Sequence, residues 1–183
     1  AGQFATSADS LMVQDVDTET PPKPKAQQSG TNLVEFGDEG EELVFNYEKA
    51  RVGAFNAHLA NKVLWLGKTR GLGYDIQSVI AETGDMSEWV KYIEVKSTKR
   101  LTAPDVNDTL WIDTLNITRN EYIAAQQHKE FYSIFRVYYT RAGVSVFVIT
   151  NIAAKLSDGT MQATPMTYRV DFSNTCVDQV LAM

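Results

Sequence analysis

Apolar positions along the chain change their spacing several times, and each change marks an element. From about residue 40, Leu43, Tyr47, Ala50, Ala54 and His58 recur at intervals of three and four, with Val44, Phe55 and Leu59 beside them. That stripe predicts a helix over about 38–59. Residues 62–66 read as a short buried strand, and 67–73 as a loop carrying Lys68 and Arg70. The period then becomes two. Over 74–82, Ile76, Ser78 and Ile80 fall on one side and Asp75, Gln77 and Val79 on the other. Turn chemistry at 83–87 leads into 89–97, where Tyr92, Glu94 and Lys96 face one way and Ile93 and Val95 the other. Two such runs joined by a short polar reversal predict a β-hairpin.

Further on, 101–107 reads as loop and 110–115 as another strand. Thr118 followed three residues later by Glu121 is a capping box, which predicts a helix over about 119–129. Two strands follow at 131–140 and 144–150 around a tight turn at Arg141, Ala142 and Gly143. Residues 166–172 suit an edge strand, and 177–183 are short and apolar. Helix, strands, helix and strands, with no internal repeat, predict an α/β fold with a mixed central sheet. Residues 1–32 lack periodicity and are Pro-rich around Pro21, Pro22 and Pro24. They cannot bury enough apolar surface to offset ordering. The expected division is an acidic, Pro-rich arm or linker over 1–36, with local docking through Leu11, Met12 and Val13, and one domain over 37–183.

Charge alters this picture only in its distribution. The net charge is −6 over 183 residues, and residues 1–45 alone, with nine acidic residues against Lys23 and Lys25, contribute −7. The remainder is near neutral, so it suits a local basic cleft better than strong non-specific DNA affinity. Lys68, Arg70, Lys99 and Arg100 are the candidate nucleic-acid contacts. The single Cys176 makes no internal disulfide and fits a reducing compartment. No apolar run approaches the roughly 18 residues that span a bilayer. An intracellular protein, cytoplasmic or nucleoid-associated, is expected.

The chemistry-bearing stretch is the hairpin. Asp75 enters one strand, and Glu94 and Lys96 share a face of the next. Phosphodiester hydrolysis needs a hard cation on oxygen ligands and an activated water. Asp75, Glu94 and the backbone carbonyl of Val95 can supply the ligands, and Lys96 can orient or deprotonate the water. The plainer reading of Glu94 and Lys96 is a same-face ion pair on a wet sheet. Glu41 and Glu48 share a helix face but stand about 10 Å apart along its axis, too far to serve one ion. His58 and His128 suit core or capping positions. No His or Cys spacing suggests zinc, and Gly71-Leu72-Gly73 lacks the length of a phosphate loop. Trp65, Trp89, Trp111, Tyr138 and Tyr139 read first as sheet aromatics.

Glu48-Lys49-Ala50-Arg51, Gly73-Tyr74-Asp75-Ile76, Ile93-Glu94-Val95-Lys96-Ser97-Thr98, Leu115-Asn116-Ile117-Thr118-Arg119-Asn120-Glu121 and Phe131-Tyr132-Ser133-Ile134-Phe135-Arg136-Val137-Tyr138 occur in that order. Together they resemble the domain named after the C-terminus of the plant protein NO VEIN, over roughly 40–150. That domain is itself similar to the restriction-endonuclease-like PD-(D/E)XK superfamily, including Mrr-type nucleases. The resemblance implies a restriction-endonuclease-like core in which Asp75 and Glu94 bind Mg²⁺, replaceable by Mn²⁺, and Lys96 is the catalytic lysine. It implies that Glu48 completes the metal environment, with Glu41 as the alternative and Gln126 and Gln127 as accessory groups. Thr118 and Glu121 match the family's Thr-x-Asn-Glu, a pattern that capping already explains.

The expected function is therefore a Mg²⁺-dependent endonuclease acting on DNA in a restriction or defence system. Its target would be chosen by a partner or a fused helicase or ATPase, and a homodimer would suit double-strand cleavage. The alternative is a catalytically inactive nuclease-like module for nucleic-acid or protein binding.

Overall fold

A computed structural model describes residues 30–164 and 169–182 of the chain. Helix Gly30–Phe55 (α1) is followed by a 3-10 turn at Leu59–Lys62 and by strands Leu64–Trp65 (β1), Ile76–Val79 (β2) and Val90–Lys99 (β3). Strand Ile112–Asn116 (β4) and helix Arg119–His128 (α2) lead to the hairpin of Tyr132–Thr140 (β5) and Gly143–Thr150 (β6). Helix Ile152–Ser157 (α3) and strands Gln162–Thr164 (β7), Arg169–Ser173 (β8) and Gln179–Ala182 (β9) complete the described chain.

The class is mixed α/β. A six-stranded sheet runs in the order β1-β2-β3-β5-β6-β9, and a three-stranded one in the order β4-β8-β7. In the large sheet β3 and β5 are parallel, and the other pairings are antiparallel. A parallel pair needs a long crossover, here the segment holding β4 and α2. Alternation along β3 and β5 separates two cores. Ile93, Val95, Phe135 and Val137 join Val44 and Val52 of α1 on one face. Tyr132 and Ile134 join Ala124 and Ala125 of α2, Ile152 of α3 and Leu115, Val170 and Phe172 of the small sheet on the other. No described helix is long and apolar enough to cross a membrane.

Several expectations change at the level of elements. Helix α1 begins at Gly30, inside the segment expected to be an arm, and ends at Phe55 rather than near 59. Its buried line is Gly40, Val44, Glu48 and Val52, four residues apart, while Ala50, Ala54, Phe55 and His58 are exposed. The stripe is rotated because Val44 and Val52 fit the apolar face of β2 and β3, which carries the polar Glu48 inward between them. Val63 is buried but Leu64 is 43% exposed, so β1 is a surface strand. The described part of 166–172 is the middle strand of the small sheet, not an edge, with β4 and β7 on its two sides. Residues 1–29, with Leu11, Met12 and Val13 among them, and residues 165–168 and 183 lie outside the described residues.

Candidate active site

The β2–β3 hairpin opens where Asp75 precedes Ile76. The backbone N–H of Asp75 donates to the Ile93 carbonyl at 2.9 Å, its carbonyl accepts from Leu66 N–H at 2.6 Å, and its Oδ2 accepts from Val95 N–H at 2.8 Å. The carboxylate thus takes the place of the next ladder residue. In a strand the N–H and C=O of one residue point to the same edge, so the Val95 carbonyl faces this gap as well. One residue back, Glu94 is 3% exposed and turns to the α2 side of the sheet. Lys96, on the same side, places Nζ 2.6 Å from Glu94 Oε1 and 2.7 Å from Glu121 Oε2.

Glu121 reaches Lys96 because α2 is fixed at its first turn. Thr118 Oγ1 accepts from Glu121 N–H at 3.3 Å, and Glu121 Oε2 accepts from Thr118 N–H at 2.9 Å. The same carboxylate therefore caps the helix and pairs with Lys96. Gly73 lets α2 come close: its φ is +78°, and a Cβ there would stand 2.7 Å from the Asn120 carbonyl carbon and 2.9 Å from Ala124 Cβ. Tyr132 Oη donates to the Gly73 carbonyl at 2.9 Å, tying that turn to β5.

Electrostatically the group holds more negative charge than one lysine balances. Burial, and next the neighbouring Glu41, push the Asp75 carboxyl up to about 7 against the pull of Val95 N–H and Lys96. Burial likewise raises Glu94, with Lys96 opposing and Asp75 and Glu121 adding to the rise. Burial alone would lower Lys96, but Glu94 and Glu121 outweigh it and hold the ammonium protonated. Carboxylates crowded in this way gain from a bound divalent cation. Their oxygens are hard donors of the kind Mg²⁺ takes, so the residues fit such an ion. Among the described residues no three acidic, His or Cys side chains already converge on one point.

Residues 40–149 match the family model described as Protein NO VEIN, C-terminal, well over half of the chain. The chain belongs to the NO VEIN C-terminal family. No curated protein matches it, and no solved structure does. The NO VEIN C-terminal region contains Asp75, Glu94, Lys96 and Glu121, together with the α1, α2 and β5 segments that hold them. Strands β7 to β9 follow it.

Within this NO VEIN C-terminal fold the structure sorts the remaining candidates. Glu41, not Glu48, is the α1 carboxylate beside Asp75 and Lys96. Its Oε2 accepts from Trp65 Nε1 at 2.7 Å, and a Cβ on Gly67 would meet it. Glu48 lies on the opposite face of the sheet. It accepts from Arg51 Nε and Nη2 at 3.1 and 2.7 Å, from Ser78 Oγ at 2.6 Å and from Lys91 Nζ at 3.3 Å. Burial would raise its pKa, but Lys91, Arg51 and Ser78 together hold it low. Glu48 is thus a buried structural anion, and the seven-residue spacing from Glu41 places the two at different ends of the hairpin.

Helix α2 brings Glu121 to the site. Gln126 and Gln127 sit off the line of Glu121, Ala124, Ala125 and His128, and Gln127 is exposed. Arg70 lines the pocket beside Asp75, and Lys68 lies within electrostatic reach of Glu41. Lys99 and Arg100 are at the far end of β3, where Arg100 Nη2 pairs with Asp113 Oδ1 at 2.8 Å. His128 stacks on Tyr92 at 3.7 Å between ring centroids, and burial lowers its pKa. Glu121 is the residue that sequence reasoning set aside. Its signal was the Thr-x-Asn-Glu pattern, which a cap explained and whose second role a helix pattern alone does not display.

Proposed function

We propose that this NO VEIN C-terminal domain is a phosphodiesterase of the PD-(D/E)XK, restriction-endonuclease-like kind, a Mg²⁺-dependent endonuclease acting on DNA. The observation that carries this reading is the Lys96 ammonium bridging Glu94 and Glu121 at 2.6 and 2.7 Å, beside Asp75 and a solvent-open pocket of about 280 Å³. Asp75, Glu94 and the Val95 carbonyl would hold Mg²⁺ or Mn²⁺, with Glu41 as the nearest further carboxylate. Such a cation supplies a polarised phosphate oxygen and a water of lowered pKa. Lys96, kept protonated, orients water and offsets negative charge developing on the phosphate; it does not begin as the base. Glu121 fixes the ammonium in place. The near-neutral charge outside the acidic first 45 residues supports targeting by a partner or fused domain, and the family resemblance supports a restriction or defence setting.

The test is a metal titration on DNA and RNA with wild type, Glu94→Ala and Lys96→Ala. The expected result is Mg²⁺- or Mn²⁺-dependent strand cleavage that falls about 100-fold or more in both variants. If all three behave alike, catalysis at this site is wrong. The neutralisation of Lys96 by two carboxylates favours, as the second reading, a binding module without catalysis. Salt-dependent DNA binding that ignores metal and survives both substitutions would select it.

A further inference from the structure

The pocket beside Glu94 carries features that hydrolysis alone does not require. It is lined by Thr69, Arg70 and Gly71 from the loop, by Tyr74, and by Asn120 from the start of α2. Gly71 has φ +91° and open space where a side chain would stand. Tyr74 lies against Tyr92 at 4.8 Å and against His128 at 6.2 Å, with interplanar angles of 61° and 83°. Neither neighbour is parallel to the Tyr74 ring, whereas Tyr92 and His128 stack on each other. Tyr74 thus packs against the second core, lines the pocket and, among the described residues, has no parallel stacked partner. Arg70 is exposed and has no salt bridge among the described residues.

We infer that this pocket takes one unstacked nucleotide of a single-stranded stretch, with its base on Tyr74 and its phosphate at Arg70. The identity of the ligand rests on the phosphodiesterase reading. Asp75, Glu94 and Glu121 on the same pocket repel a free mononucleotide with several negative charges. They tolerate an uncharged base, and one guanidinium matches the single charge of a backbone diester. The Asn120 amide and Thr69 hydroxyl can meet the polar edge of the base. Inside a duplex each base is stacked on both sides, so an aromatic platform engages it only where the strand is single or the base has been extruded. Because Tyr74 lines the same pocket as Asp75, Glu94 and Glu121, the base it holds neighbours the phosphate at the carboxylates. Single strands, flaps and frayed ends are the substrates this arrangement prefers over intact duplex.

Binding of a short fluorescein-labelled oligonucleotide to the full chain, measured by anisotropy in Ca²⁺ without Mg²⁺, tests the inference. Wild type should bind the single strand more tightly than the matching duplex. Tyr74→Leu should weaken binding about tenfold or more, and Tyr74→Phe should stay within about twofold, as expected when the contribution is stacking. Arg70→Gln should lower the salt dependence. An oligonucleotide with abasic sites should bind wild type as weakly as the intact strand binds Tyr74→Leu. This arm needs no substitution, so a destabilised variant cannot obscure it. Equal binding of abasic and intact strands, or tighter binding of duplex, overturns the proposal. Base-dependent binding without Mg²⁺-dependent cleavage supports it while removing the catalytic reading. Cleavage with base-indifferent binding does the reverse.

Discussion

Asp75 shows what the site demands of a single residue. Its carboxyl is pushed up to about 7, first by burial and then by Glu41, whereas in an unfolded chain it titrates at about 3.9. Between those values the native protein keeps a proton that the unfolded chain has released. Its contribution to stability is therefore full below about pH 4 and is lost as pH rises through about 7. Asp75→Asn removes the titration and keeps an oxygen for Val95 N–H. The drop in melting temperature between pH 5 and pH 8 should be smaller in the variant than in wild type, and an equal drop would refute this account. Two glutamates show what residue type alone conceals. Glu48 and Glu121 both sit on helices, and the one local difference, the cap at Thr118 before Glu121, says nothing of which of them reaches the site. Ser78 and Lys91, about 30 and 43 residues away, make the first a buried anion. Lys96 gives the second a place in the site.

At the scale of elements, the close seating of α2 on the Gly73 turn decides the geometry. Gly73→Ala forces a left-handed backbone on alanine and drives its Cβ into the first turn of α2. Each effect costs about 1–3 kcal/mol. The variant should melt several degrees lower and show loss of the Lys96–Glu121 pair, visible as a lowered Lys96 pKa by NMR; an unchanged melting temperature would show that α2 is not held there. The β2–β3 hairpin and the α2 cap were legible because their signals are local: alternation in Tyr92 to Lys96, and Thr118 three residues before Glu121. The small sheet was not. Leu115 of β4 pairs with Val170 of β8, a long-range choice that no window of sequence contains, so β8 reads as an edge when it is central. The rotation of α1 has the same origin, since its buried line is set by the sheet it lies on.

Across the second core, one carboxylate adds polar bonds to the apolar packing between the two sheets. Asp113 of β4 accepts from Arg136 Nε at 3.0 Å, Tyr138 Oη at 2.7 Å, Arg100 Nη2 at 2.8 Å and Thr114 N–H at 2.8 Å. The first three bonds link the small sheet to β5 and to the end of β3. Asp113→Ala leaves Arg136 buried without its counter-ion, a loss of about 3–5 kcal/mol. Chemical denaturation should show that loss, and a change below 1 kcal/mol would show that the sheets are held together by apolar packing alone. Arg136 Nη1 also donates to the Lys96 carbonyl at 3.3 Å, so the joint between sheets reaches the backbone of the site. The opposite end of the Lys96 side chain is held differently. Its ammonium is shared between Glu94 of the same strand and Glu121, and Glu121 belongs to the first turn of α2, a helix end restrained against fraying by its capping box. Warming that opens this turn alone would leave the ammonium on Glu94 only while both sheets stand, so the domain would lose its three-group arrangement at a temperature below the one at which it unfolds.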